Sequence, residues 1–160
     1  MRTSKKGIDL IKQFEGCKLY AYRDAVGKPT IGYGHTLGVK MGTTITQAQA
    51  DKFLFSDIEP IEKFLGRLGL ALPQNKYDAL VSWIFNLGTG NFSTSTMRKY
   101  IIARRKDEDI TDQMVKWHYA NRVPLLGLMR RRCAEANMWL NADVYYVDKS
   151  TYTIKKRTAR

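Results

Sequence analysis

Apolar residues recur at helical spacing through nearly all of this 160-residue chain. The one stretch that breaks the rhythm, between Gly16 and Thr46, constrains the fold most. There Leu19 to Asp24 and Thr30 to Gly34 alternate loosely, rich in Tyr and Ile, around the turn residues Gly27, Lys28 and Pro29. That pattern predicts a short hairpin. Gly32, Gly34, Gly38 and Gly42 point to tight turns and close backbone approach rather than long strands.

Helical signals surround this β region. Ser4 can cap a first helix in which Ile8, Ile11 and Phe14 share a face and Gly16 follows the last turn. Thr46 and Gln49 form a capping box for a second helix, about 46–68, striped by Phe53, Leu54, Ile58, Ile61, Leu65 and Leu68. Pro60 should kink or split it, because proline lacks the donor and clashes with the preceding turn. From Pro73 onward the pattern is helical: Tyr77, Leu80, Val81, Ile84 and Leu87 line a segment stopping at Gly88. Further helices are predicted over Ser95–Arg105, Asp109–Tyr119 and Leu126–Leu140. The last stretch, about 143–160, with Lys155-Lys156-Arg157, reads as a less ordered basic tail. The expected fold class is α+β and mostly helical. A single domain would hold a small N-terminal α/β-hairpin lobe (about 1–45), the connecting helix, and a helical C-terminal lobe (about 70–142).

A hydrophobic fraction of 44% suffices for a core without disulfide staples. The two cysteines, Cys17 and Cys133, are far apart and lack metal-ligand spacing, so free buried thiols are expected, a long-range disulfide being the lesser alternative, and a zinc site is not expected. No run approaches the roughly 20 apolar residues of a membrane span. The basic N-terminus has no apolar h-region behind it, so no secretory signal is read. The net charge of +12 implies attraction to something anionic: nucleic acid, an acidic membrane surface or a wall polymer.

Three residues stand out chemically. Glu15 falls in the last turn of the first helix, where the negative end of the macrodipole disfavours an ionised carboxylate. An acid kept protonated is what a general acid needs. The bland alternative is a surface glutamate at a frayed helix end. Asp24 and Thr30 flank the predicted turn, and a hairpin would set them opposite each other, where a carboxylate and a hydroxyl can hold one water. Alternatively Asp24 merely caps the turn and Thr30 is an ordinary strand residue.

Taken together, Glu15, Asp24 and Thr30, spaced by eight and five residues and followed by Gly32-Tyr33-Gly34-His35, resemble the catalytic signature of phage-type lysozymes, closest to the endolysins of lambdoid phages. The resemblance extends through Trp83-Ile84-Phe85-Asn86-Leu87-Gly88-Thr89-Gly90 and the arginine-rich Gly127-Leu128-Met129-Arg130-Arg131-Arg132 with Glu135, covering residues 4 to about 142. It implies a lysozyme-like fold and hydrolysis of the β-1,4 bond between N-acetylmuramic acid and N-acetylglucosamine in peptidoglycan. Glu15 would be general acid, and Asp24 and Thr30 would hold the attacking water, with inversion. Phe85 and Asn86 would line the substrate cleft, although Phe85 as plain core is an equal reading. The resemblance implies a structural His35 held by a carboxylate, and Arg130 or Arg131 reaching Glu15. Trp117 and Trp139 are read as core and Cys17 as a bystander. No metal or cofactor is implied. The partner would be the peptidoglycan glycan strand, met by a monomer with no stable nucleic-acid partner. Such an enzyme would wait in the host cytoplasm until released to the wall.

Two other readings stay open. A lytic transglycosylase needs one acid but not Asp24. A non-catalytic basic protein binding wall or nucleic acid would use Arg104-Arg105-Lys106, Arg130-Arg131-Arg132 and Lys155-Lys156-Arg157. Such clusters are more commonly solvated faces.

Overall fold

Ser4 starts the first helix as its residue type suggests, its hydroxyl accepting from Gly7 N at 3.4 Å and donating to the Asp78 carboxylate. The computed structural model describes residues 1–158. Helix α1 (Lys5–Glu15) leads into the antiparallel hairpin β1 (Lys18–Arg23) and β2 (Pro29–Gly32). Helix α2 (Gln47–Leu68) follows, then α3 (Gln74–Leu87), α4 (Thr89–Thr94), α5 (Thr96–Ile102) and α6 (Asp107–Met114). A two-residue hairpin, β3 (Tyr119–Ala120) with β4 (Val123–Pro124), precedes α7 (Leu126–Leu140), and β5 (Tyr145–Asp148) pairs with β6 (Thr153–Lys156). The fold is α+β and mostly helical.

The expected capping box is present in both halves. Gln49 N donates to Thr46 Oγ1 at 3.1 Å and Thr46 N to Gln49 Oε1 at 2.8 Å. α2 runs through Pro60 as one helix, so of the two expected outcomes the split does not occur. Pro60 and Ser56, whose carbonyl loses its partner, are both exposed, so water can satisfy the orphaned acceptor. Two predicted helices are shorter than expected. Arg104, at φ +53°, ends the segment begun at Ser95, and Tyr119 lies in β3 rather than at the end of α6.

The predicted basic tail is largely folded. β5 packs on α7, Tyr145 is buried, and its hydroxyl donates to Asp112 Oδ1 at 2.6 Å. Its cations are locally neutralised: Lys155 pairs with Asp148, Lys156 with Asp112 and Arg157 with Asp143. Residues 159 and 160 of that predicted tail lie outside the described part.

The core gathers around α3, which packs against α1, α2 and α7. Trp83 sits at its centre, fully buried, edge-to-face with Phe92 and Trp117, and donates its indole N–H to Met114 O at 3.2 Å. Trp139 is also buried and donates to Asp107 Oδ1 at 3.0 Å, so both Trp117 and Trp139 serve the core as expected. No helix among the described residues is long and apolar enough to cross a membrane.

Candidate active site

α1 ends at Glu15, and Gly16 (φ +66°) turns the chain at once into β1, leaving that last helical side chain over a cleft. On one side stands Gly34 with φ +80°, where a Cβ would come 3.5 Å from Glu15 Oε2. A side chain there would be backbone-strained and would lie in van der Waals contact with the carboxylate. On the other side Arg131 Nη1 donates to Glu15 Oε1 at 2.5 Å. The nearest polar neighbour of the acid is thus a guanidinium, beyond the helix-end and apolar surroundings expected from sequence.

Two hollows share Glu15 and Asn86 as walls. One, about 400 Å³, is bounded by Gly34, Leu37, Asp57, Phe85 and Thr89; the other, about 480 Å³, by Phe14, Leu126, Leu128 and Arg131. Phe85 is half-buried, touching the core while lining the first hollow, so both readings of it hold. Together the hollows form a trough with a carboxyl at its floor.

Helix α7 supplies the support. Arg131 is 3% exposed, and its Nη2 donates to Ser82 O at 3.1 Å. Arg132, fully buried, donates from Nη2 to Asn86 Oδ1 at 2.8 Å. Glu135, also fully buried, lies 2.8 Å from Arg132 Nη2 and 3.9 Å from Arg131 Nε. Burial pushes its acid up to about 7, against the opposing pull of the two guanidiniums. One carboxylate therefore lies within ion-pair distance of two arms, one reaching Glu15 and the other Asn86, without hydrogen-bonding to either. The sequence left Arg130 and Arg131 open; Arg130 is exposed and Arg131 makes the contact. The pairing of Arg132 with Glu135 was missed, although their i, i+3 spacing on one helix was a usable signal.

The hairpin differs from expectation in register. Thr30 pairs with Tyr22 and Pro29 with Arg23, so Asp24 sits diagonal to Thr30 rather than opposite it. Asp24 Oδ1 caps the turn, accepting from Val26 N at 3.0 Å and Lys28 N at 2.8 Å. Its Oδ2 has no hydrogen-bond partner among the described residues. Thr30 is buried and donates its hydroxyl hydrogen to Lys28 O at 2.9 Å. Tyr22, which sequence reasoning passed over, feels the charge of both acids. Burial first, then the charges of Glu15 and Asp24, push its phenol up.

His35 stands apart from this chemistry. Its Nδ1 contacts both Asp57 carboxylate oxygens, at 2.9 and 3.0 Å, and its ring stacks on Phe53 at 4.3 Å. Both cysteines are free, with Cys133 buried and Cys17 exposed, so the expectation of two buried thiols holds for one. Among the described residues no group of three or more His, Cys, Asp or Glu side chains is placed to hold a metal ion.

The sequence pattern of the phage lysozyme family matches residues 12–135. An endolysin of Acyrthosiphon pisum secondary endosymbiont phage 1 is 40% identical over 147 residues, 89% of this chain and all of that protein. The endolysin of Salmonella phage P22 is 37% identical over 138 residues, 82% of this chain and 94% of its own. Among solved structures, the muramidase domain of SpmX from Asticaccaulis excentricus superposes with a TM-score of 0.81 at 34% identity, covering 87% of this chain and 97% of that domain. The non-catalytic basic protein is thereby set aside, and its Arg130-Arg131-Arg132 cluster is not a surface patch, since Arg131 and Arg132 are buried. The chain belongs to the phage lysozyme family and is a peptidoglycan-lysing enzyme.

Proposed function

We propose that this enzyme hydrolyses the β-1,4 bond from N-acetylmuramic acid to N-acetylglucosamine with inversion, acting on glycan strands as a monomer and lysing the bacterial host for phage release. The observation that carries the reading is Glu15, set at the floor of a trough by a buried arginine. Glu15 delivers a proton to the leaving glycosidic oxygen. Asp24 and Thr30 hold the attacking water. Thr30 spends its hydrogen on Lys28 O, so it meets water only as an acceptor. Asp24 Oδ2 is a second acceptor. A water donating to both turns its lone pair outward toward the anomeric carbon, and Asp24 accepts its proton as the bond forms. Inversion requires the two carboxyls to stand about 6.5–9.5 Å apart, leaving room for that water. Asn86, fixed by Arg132, offers its amide N–H groups to a sugar, and Phe85 offers a ring face. The muramidase named among the structural relatives supports this bond specificity.

Mass spectrometry of purified peptidoglycan digested by the enzyme, with Glu15→Gln as control, tests the reading. Reducing muramic ends, absent with the variant, are expected. Anhydro-muramic ends would make the enzyme a transglycosylase and leave Asp24 without its role.

A further inference from the structure

A larger hollow, about 620 Å³, lies away from Glu15 between α6, the β3–β4 hairpin and the terminal β5–β6 hairpin. That volume is in the range of small-ligand sites. Its walls are unusually aromatic for a surface: Tyr100, His118, Tyr119 and Tyr152 all face it. Tyr119 and Tyr152 are 55% and 44% exposed. Tyr119 is nonetheless held in place, its ring stacked on His118 at 4.4 Å, while His118 Nδ1–H donates to Val115 O at 2.6 Å. A fixed ring loses little entropy when something stacks on it.

The polar groups around these rings are mixed in sign. Arg105 pairs with Asp109 and Lys156 with Asp112, whereas Lys116 has no ion-pair partner among the described residues. Two carboxylates inside the hollow disfavour a polyphosphate chain, which requires a run of uncompensated cations. They suit a ligand rich in hydroxyl and amide donors, and the spare Lys116 suits one carboxylate on it.

The hollow also adjoins the trough. Pro124 lines it, while the next residues, Leu125 and Leu126, line the trough beside Glu15. Tyr152, on the turn between β5 and β6, accepts from Leu126 N at 3.2 Å and ties the two together. The hairpin forming one wall lies beyond the family match, which stops at residue 135.

We propose that this hollow is a second binding site for an N-acetylhexosamine glycan carrying a carboxylate, holding the wall polymer while the trough cuts it. The ligand class rests on the function proposed above. The rings take the apolar faces of the sugars, Asp109 and Asp112 accept from hydroxyl or acetamido groups, and Lys116 takes the carboxylate.

The test uses the full chain with Tyr119→Ala and Lys116→Gln, neither of which touches the trough. Co-sedimentation with purified insoluble peptidoglycan is measured in the Glu15→Gln background, and hydrolysis of a short soluble glycan fragment of alternating N-acetylmuramic acid and N-acetylglucosamine in the active one. The double variant should bind the wall at least fivefold more weakly while cleaving the short oligomer at an unchanged rate. In the Glu15→Gln protein, NMR titration with soluble muramic-acid-containing glycan fragments should shift the His118 and Tyr119 ring signals. Unchanged wall binding, shifts confined to trough residues, or ring shifts produced by duplex DNA and not by glycan would overturn the proposal. Weakened wall binding with no hydrolysis by the unsubstituted protein would keep this site and sink the hydrolase reading instead.

Discussion

Arg131 and Glu15, 116 positions apart in sequence, form an ion pair in which the arginine is buried and the acid opens onto the cleft. The guanidinium is itself fixed by Ser82 O, so the acid inherits its orientation from the helical core rather than from the short helix that carries it. Arg131→Lys keeps the charge but cannot reach both partners at once. We expect wall lysis, followed by turbidity, to fall about 10²-fold, the scale of a misplaced catalytic group. A rate within twofold of the parent, with the variant folded by circular dichroism, would remove this positioning role.

Glu135 makes stability depend on pH in a specific direction. Its folded acid is pushed up from 4.5 to about 7. Its contribution is therefore fully present below pH 4.5 and lost as pH rises through 7, because the unfolded chain gives up the proton first. The full swing is on the order of 3 kcal/mol. Glu135→Gln mimics the protonated form and removes it. The stability difference between parent and variant, from urea titrations at pH 4.5 and 8, should shift in the variant's favour at the higher pH. A pH-independent difference would contradict this account.

Thr30→Val preserves shape in a buried site while deleting the acceptor proposed for the water. It should lower kcat by about 10²-fold, comparable to removing one hydrogen-bonding group from a catalytic site. Thr30→Ser should retain most of the rate. Equal losses in both variants would point to packing rather than to the hydroxyl.

The terminal hairpin is held through Tyr145, whose hydroxyl meets Asp112 Oδ1 at 2.6 Å and Thr111 Oγ1 at 2.8 Å. Tyr145→Phe removes the donor to Asp112 Oδ1 and the acceptor open to the Thr111 hydroxyl, and should cost about 1–3 kcal/mol. Thermal denaturation would register this as a drop of several degrees. An unchanged melting temperature would mean the hairpin contributes nothing to the cooperative fold.

The charge of +12 predicts faster encounter with an anionic wall. Raising salt from about 0.01 to 0.15 M shrinks the Debye length from about 30 to 8 Å and should slow lysis several-fold. Cleavage of a short soluble glycan fragment, which carries far less charge than the whole wall, should respond much less to salt. Salt-independent lysis of whole wall would assign the charge another purpose.

The sequence by itself determined the local elements that rest on near neighbours. The Thr46–Gln49 capping box, the turn at Gly16 and the periodicity of α3 and α7 need only residues a few positions apart, and all are present. The residues that carry the proposed chemistry were also legible, through the spacing of Glu15, Asp24 and Thr30. Tertiary structure alone decided which arginine reaches the acid, because Arg130 and Arg131 differ only in the face of α7 they occupy and in what α3 places opposite. It also decided that Asp24 is diagonal to Thr30, since register depends on the whole hairpin. Above all it folded the supposed basic tail: Lys155, Lys156 and Arg157 read as free charge until Asp148, Asp112 and Asp143 are brought beside them. A charge run is visible in one dimension, but its neutralisation by residues as distant as Asp112 exists only after folding.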